Sequence, residues 1–334
     1  MNLSYHFNLI KLLLVREYPK LRNVLKVNYG LLPEVKDERD YIMGVDSKIN
    51  WKILNPDSNW LPEAKQMIDE VQKGRYLETF GCTGYALKNI KEMLRINKWG
   101  QVINESDRFL NKISGTGRNG NTFSRVLKAE KNYGWVKESE YSWDRAKFNW
   151  NEYYKTIPQE IRDRALINSK KELFGYDSVW ATKSMIIEAL KYSPLYVGLY
   201  AWYRKGMFYY SVANPNHASV IINRNQFMCY DSYDPYIKNL DEGFKIYYVK
   251  RIYLERADQV FDENKIKTLR TRGFKYLMRT DKFNGGKGEV YILTDDNKVI
   301  ELTDQDKLEA GVEGLAKRGD LTGISEKDYF NLIK

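Results

Sequence analysis

An α+β fold is predicted, with a helical half ahead of a sheet-rich half. Helix-period apolar patterns dominate residues 62–191, while short runs rich in Val, Ile, Tyr and Phe follow Ser193-Pro194. A further hairpin pattern appears beyond residue 262. Helices first and strands second segregate into two lobes. At 334 residues the chain can bury a full core with a small module beside it.

The elements follow in order. Residues 5–16 predict an amphipathic helix within an N-terminal extension, 1–60. Its apolar run, Phe7 to Val15, is broken by Lys11 and followed by Arg16-Glu17-Tyr18-Pro19-Lys20. It is too short to span a bilayer and lacks a small-residue cleavage site, so neither a membrane span nor a signal peptide is expected. A central domain, 61–262, should carry helices at 62–74, 82–97 and 104–113, with Asn104 as N-cap. A glycine-rich loop, 114–121, precedes a helix at 122–132 that Asn132-Tyr133-Gly134 would end. Helical chain is expected at 144–172 and 178–191. Strands are expected at 195–202, 208–212, 218–223, 227–231 and 244–253. A small α/β accessory module, 263–334, should hold strands at 288–294 and 298–302 around Asp295-Asp296-Asn297, and helices at 304–317 and 325–334. The tract 284–287 marks a turn.

Composition narrows the function classes. The net charge of +10 would suit an acidic partner, nucleic acid included. Lys and Arg are spread without a dense basic run, however, so solvated faces are the better reading and no nucleic-acid partner is expected. With 26 Tyr and 8 Trp the chain is not of the disordered class. Two cysteines exclude a disulfide framework, and their spacing fits no zinc cluster; no metal or cofactor is called for. A reducing compartment fits best: bacterial or phage-infected cytoplasm, with association with a virion as the alternative. Nothing in the sequence sets an oligomeric state.

Reactive side chains are few. The chain has two cysteines and two histidines. Cys82 lies in Phe80-Gly81-Cys82-Thr83-Gly84-Tyr85-Ala86, opening a helix, where the positive helix end favours thiolate. His217 begins a strand and Asp231 follows the next one. An imidazole can take a thiol proton, and a carboxylate can orient that imidazole. A lone cysteine is more often a small buried hydrophobe, and Cys229, in an apolar strand, is read that way. His6 is read as structural or exposed, Asp234 as a turn residue and rival orienter, and Trp202 as core or pocket lining. The loop at 115–120 lacks the Lys-Ser/Thr of a phosphate-binding loop.

Over residues 60–255 these features resemble the papain family of cysteine peptidases. The Cys82-to-His217 separation is similar to the family's. Asn104-Glu105-Ser106, Gly117-Arg118-Asn119-Gly120-Asn121, Lys131 to Tyr141, Ser193-Pro194-Leu195 and Asp231-Ser232-Tyr233 resemble family segments in the same order. The resemblance implies a two-lobe fold, with a helical lobe and an antiparallel sheet or barrel lobe. It implies a catalytic set of Cys82, His217 and Asp231, and main-chain substrate binding at Gly117, Asn119 and Gly120. It also implies an oxyanion-hole Gln. The position matching the family's Gln holds Tyr76, leaving Gln72, or else Gln66, for that part. Asp231 stands where the family usually has Asn, and the family's disulfide cysteines are missing.

The activity expected is cysteine-dependent hydrolysis of a peptide or isopeptide bond in a polypeptide substrate, through an acyl-enzyme. Two alternatives stay open. One is a catalytically degenerate structural, virion or binding protein on the same fold. The other is a transglutaminase-like or double-glycine-leader-type thiol enzyme.

Overall fold

The computed structural model describes residues 30–34, 40–45, 51–211 and 215–256, together with the backbone of four strands in 276–324. Two compact units divide the chain, Met1–Leu254 and Glu255–Lys334. The expected helices at 5–16, 304–317 and 325–334 lie outside the described residues.

The first unit is α+β, helices before strands, as expected. Its helices are α1 (Leu61–Ala64), α2 (Cys82–Trp99), α3 (Asp107–Ile113), α4 (Phe123–Tyr133), α5 (Trp150–Tyr153), α6 (Gln159–Ser169) and α7 (Lys183–Ala189). Its strands are β1 (Glu172–Ser178), β2 (Leu195–Leu199), β3 (Tyr203–Lys205), β4 (Phe208–Tyr210), β5 (His217–Asn223), β6 (Met228–Tyr230), β7 (Ile237–Leu240) and β8 (Ile246–Arg256). The sheet order is β1-β8-β2-β5-β6-β7-β4-β3. The pairs β2–β5, β2–β8, β5–β6 and β6–β7 are antiparallel, but β4 and β7 run parallel, a departure from the all-antiparallel expectation.

Several boundaries differ from expectation for local reasons. Helix α1 stops at Ala64 rather than running to 74. Ser106, not Asn104, caps α3, accepting the Phe109 N–H. Thr122 caps α4 through the Arg125 N–H, and Gly134 ends it at φ 71°. Strand β1 lies between the expected helical stretches 144–172 and 178–191, where no strand was expected, and β3 and β7 come from segments read as loop.

Buried charge joins the helices to the sheet. Helix α2 is buried on every side from Cys82 to Ile96, so its charged residues must be paired inside the protein. Lys88 meets Glu70, and Lys91 meets Glu105 at 2.7 Å as well as Glu130. Arg95 bridges Glu105 at 2.5 Å and Glu172, on β1, at 2.6 Å. The Arg95 guanidinium also lies 4.3 Å from the Trp135 ring centroid.

In the second unit, β9 (Tyr276–Arg279), β10 (Val290–Leu293), β11 (Val299–Glu301) and β12 (Leu321–Ile324) form a sheet ordered β11-β10-β9-β12. The β10–β11 hairpin is the one expected around Asp295-Asp296-Asn297.

Arg95→Leu should cost about 3–5 kcal/mol, because it leaves Glu172 buried without its cation and weakens the hold on Glu105. Urea unfolding followed by tryptophan fluorescence measures this; a loss below about 1 kcal/mol would mean that the network contributes little.

Candidate active site

The start of α2 is shaped to lie close to its neighbours. A Cβ on Gly81 would meet Asn111 Nδ2 at 2.2 Å, and one on Gly84 would meet Asn111 Oδ1 at 2.2 Å. Asn111, on α3, lies across this first turn and donates to the Tyr153 hydroxyl at 3.0 Å. The glycines around the cysteine thus let α3 close on α2. On the other side, the Tyr196 hydroxyl, from β2, donates to the Thr83 carbonyl at 2.8 Å, and its ring stacks on Phe123.

The same turn seats the thiol on β5. Cys82 Sγ accepts the Ala218 N–H at 3.4 Å, beside His217. The Nε2 atom of His217 lies 2.6 Å from Asp231 Oδ1. Asp231 follows β6, which pairs with β5, and its N–H donates to the Tyr236 carbonyl at 2.7 Å. Asp234, the rival carboxylate, is exposed. Trp202 packs edge-on against the imidazole at 5.2 Å, and the Tyr233 ring lies 5.8 Å away. Cys82, His217 and Asp231 are all buried. Cys229 is buried core, as expected.

Burial decides the charge states. It pushes the Cys82 thiol far above its ordinary value, and the Asp231 and Glu78 carboxylates add to the rise; the Ala218 and Thr83 N–H groups oppose it. The helix-end effect expected to favour thiolate is outweighed, because the sulfur is shut away from water. Burial also pushes Asp231 up, but Lys238 and His217 reverse this and hold it below its ordinary value.

Several members escaped the sequence reading. Lys238 Nζ lies 2.7 Å from Asp231 Oδ2 and donates to the Tyr233 and Pro235 carbonyls. The missed signal was period-two alternation in Ile237-Lys238-Asn239-Leu240, which turns Lys238 inward with Leu240. Glu78 is buried, its carboxyl pushed up by burial, and it accepts from Gln72 Nε2 at 2.9 Å and the Tyr233 hydroxyl at 2.8 Å. Gln72 Nε2 also reaches the Tyr233 hydroxyl at 2.6 Å, and its Oε1 accepts from Ser232 at 2.8 Å. Gln72 therefore bonds to a cluster next to His217. Gln66 donates to the Pro62 carbonyl on the surface.

The glycine-rich loop is occupied differently from expectation. Gly117 and Gly120 bond each other's main chains, at 3.1 and 2.9 Å, and Asn119 is exposed. Asn121 makes the outward main-chain pairs. Its N–H donates to Gly30 O at 2.8 Å, and its carbonyl accepts the Leu32 N–H at 2.9 Å. The Leu31 N–H reaches the Asn216 carbonyl, next to His217, at 3.4 Å. A Cβ on Gly120, at φ 100°, would meet Gly30 O at 1.9 Å, and one on Gly30 would meet Phe80 O at 2.2 Å. Glu34 anchors the segment by accepting the Phe123 N–H at 2.7 Å and the Ser124 N–H at 3.1 Å at the start of α4. Residues 30–34 thus cross between the loop, the chain before Cys82 and the strand of His217.

Among the described residues, Glu70, Asp107 and Glu138 bring carboxylate oxygens within 4.8 Å of one another. Lys88 pairs with Glu70, and Arg145 lies 3.6 Å from Glu70 and 3.8 Å from Asp107, so protein cations already serve this group. Burial, then Asp107 and Glu70, push Glu138 up to about 9.

No protein-family model and no curated protein matches the chain. Among solved structures it is similar to xylellain, a cysteine protease from Xylella fastidiosa, at 15% identity and a TM-score of 0.47 over 67% of this chain and 95% of that one. It is also similar to the proform of the ragweed pollen cysteine protease Amb a 11, at 16% identity and 0.43, over 61% and 67%. Digestive procathepsin L 3 of Tenebrio molitor larval midgut gives 12% and 0.43, over 70% and 78%. These likenesses are distant.

Two outcomes are expected. Gly84→Ala should destabilise the protein by about 1–3 kcal/mol although alanine is the better helix former, because the methyl group displaces Asn111; thermal unfolding measures it. Folding lowers the Asp231 carboxyl, so its stabilisation is present above the ordinary value of about 3.9 and is lost as pH falls through the folded value. Asp231→Asn should therefore flatten the acid side of the stability–pH curve, measured by thermal unfolding across pH.

Proposed function

We propose that the chain is a papain-like thiol hydrolase that cuts a peptide or isopeptide bond in a polypeptide. The observation that carries this is the seat of Cys82 Sγ on the Ala218 N–H, with His217 alongside and Asp231 behind it. Asp231 engages Nε2, so Nδ1 is the nitrogen assigned to the thiol proton. The thiolate attacks the carbonyl, and the oxyanion is met by the N–H at the start of α2 and by Gln72, which turns from Glu78 or Tyr233 to reach it. His217 then gives its proton to the leaving amine, and water clears the acyl-enzyme.

Residues 30–34 keep the site closed in this reading. They take the Asn121 and Asn216 main-chain groups that an extended substrate would need, with Gly117, Asn119 and Gly120 shaping that loop. Closure accounts for a buried, neutral thiol in a chain built for thiol chemistry: opening returns solvent, and the burial that raises the thiol falls away. Residues 255–334 carry none of these groups and act as an accessory unit.

The buried thiol also favours a second reading, a scaffold that keeps the fold without the chemistry. Alkylation of Cys82 in the full chain separates the two. For an enzyme, Leu31→Ala should speed labelling by about tenfold or more by loosening the closing segment, and adding His217→Gln should then slow it by about 10²–10⁴-fold. Labelling that is slow in Leu31→Ala and indifferent to His217 would leave the scaffold reading standing. Release of product from a quenched peptide library, lost in Cys82→Ser, is the corresponding test of turnover.

A further inference from the structure

We propose that Lys238 is a positioning residue: with Asp231 it forms a net-neutral pair that orients His217. The inference rests on the thiol-hydrolase reading for its use, but its geometry stands independently. Asp231 has both carboxylate oxygens engaged on opposite sides, Oδ1 with His217 Nε2 at 2.6 Å and Oδ2 with Lys238 Nζ at 2.7 Å. The Lys238 side chain is 2% exposed. Its further donors go to the Tyr233 and Pro235 carbonyls, and its ammonium lies 5.0 Å from the Trp202 ring centroid and 5.6 Å from that of Tyr209. Trp202 is also the ring packed on His217, so one indole spans the imidazole and the cation.

A buried ammonium is costly to keep, and Leu240 on the same strand face shows that an apolar side chain suits this layer. Electrostatics supplies a reason for the lysine. Asp231 and Glu78 both oppose ionisation of Cys82. An uncompensated Asp231 would hold an imidazolium tightly while repelling the thiolate that must form beside it. Lys238 cancels that charge at its source and leaves the hydrogen bond to Nε2 in place. The pair thus delivers what a neutral Asn side chain would, with its acceptor fixed from behind. Among the described residues, Lys238 from β7, Tyr209 from β4, Cys229 from β6 and the Cys82 thiol interact with the Asp231 carboxylate, Glu78 acts on Cys82, and the Tyr233 ring lies beside the imidazole.

The test uses full-length protein with ¹⁵N-labelled histidine. There are two histidines, and the His6→Gln variant assigns the His217 signal. In Lys238→Met the titration midpoint of His217 should rise by about one pH unit or more, because Asp231 then acts uncompensated. Lys238→Arg should restore the wild-type midpoint. If Lys238→Met does not fold, Asp231→Asn and Asp231→Asn/Lys238→Met supply the same comparison: losing the cation should again raise the His217 midpoint. A folded variant lacking Lys238 with an unmoved His217 midpoint would overturn the proposal. Failure of the hydrolase reading shows separately, as Cys82 labelling indifferent to His217, and leaves the titration comparison intact.

Discussion

Helix α2 is buried on all sides from Cys82 to Ile96, and its first turn rests on strand β5. A helix enclosed in this way can neither shed its charges into water nor tolerate bulk where its neighbours close in. The first demand is met by Lys88, Lys91 and Arg95 pairing with Glu70, Glu105, Glu130 and Glu172. The second is met by Gly81 and Gly84 beneath Asn111. The position of the thiol follows from both. Shift α2 by a turn and Cys82 loses the Ala218 N–H, and with it the neighbourhood of His217.

The same enclosure sets the chemistry. In water, a thiol at a helix start gains from the helix end. Here desolvation outweighs that gain, and nearby carboxylates add to it. The polar groups around the site are arranged to contain those carboxylates. Lys238 faces Asp231, while Gln72, Tyr233 and the Phe80 N–H face Glu78. These two clusters flank His217, and Tyr233 links them through its ring beside the imidazole and its hydroxyl on Glu78.

The segment at 30–34 is held in place by few residues. Gly30 approaches Gly120 and Phe80 so closely that a side chain is excluded, and Leu31 fills apolar space beside Gly198. Glu34 then fastens the segment to the N-terminus of α4. Three kinds of interaction, main-chain pairing, apolar burial and a charge at a helix end, act within five residues.

Much of this was legible in the sequence. The order of helices and strands, the separation of Cys82, His217 and Asp231, the hairpin around residues 295–297 and the core character of Cys229 all follow from local pattern, because periodicity and turn chemistry act over a few residues. The rest required the tertiary structure. Strand β1 lies in a charged, aromatic stretch whose strand state comes from pairing with β8 rather than from its own propensity. Lys238 reads as a surface lysine until β7 pairs with β6 and turns it toward Asp231. Gln72 was a candidate oxyanion-hole residue in the sequence, but its bonds to Glu78 and Tyr233 come only from the packing that brings them together. The resemblance already pointed to Asp231 rather than Asp234, but the bond of Asp231 to the imidazole and the exposure of Asp234 come from the sheet. The sequence by itself determined which residue types are available and in what order. Only the packing of α2 on the sheet decided their ionisation and their partners, because desolvation and pairing depend on neighbours far along the chain.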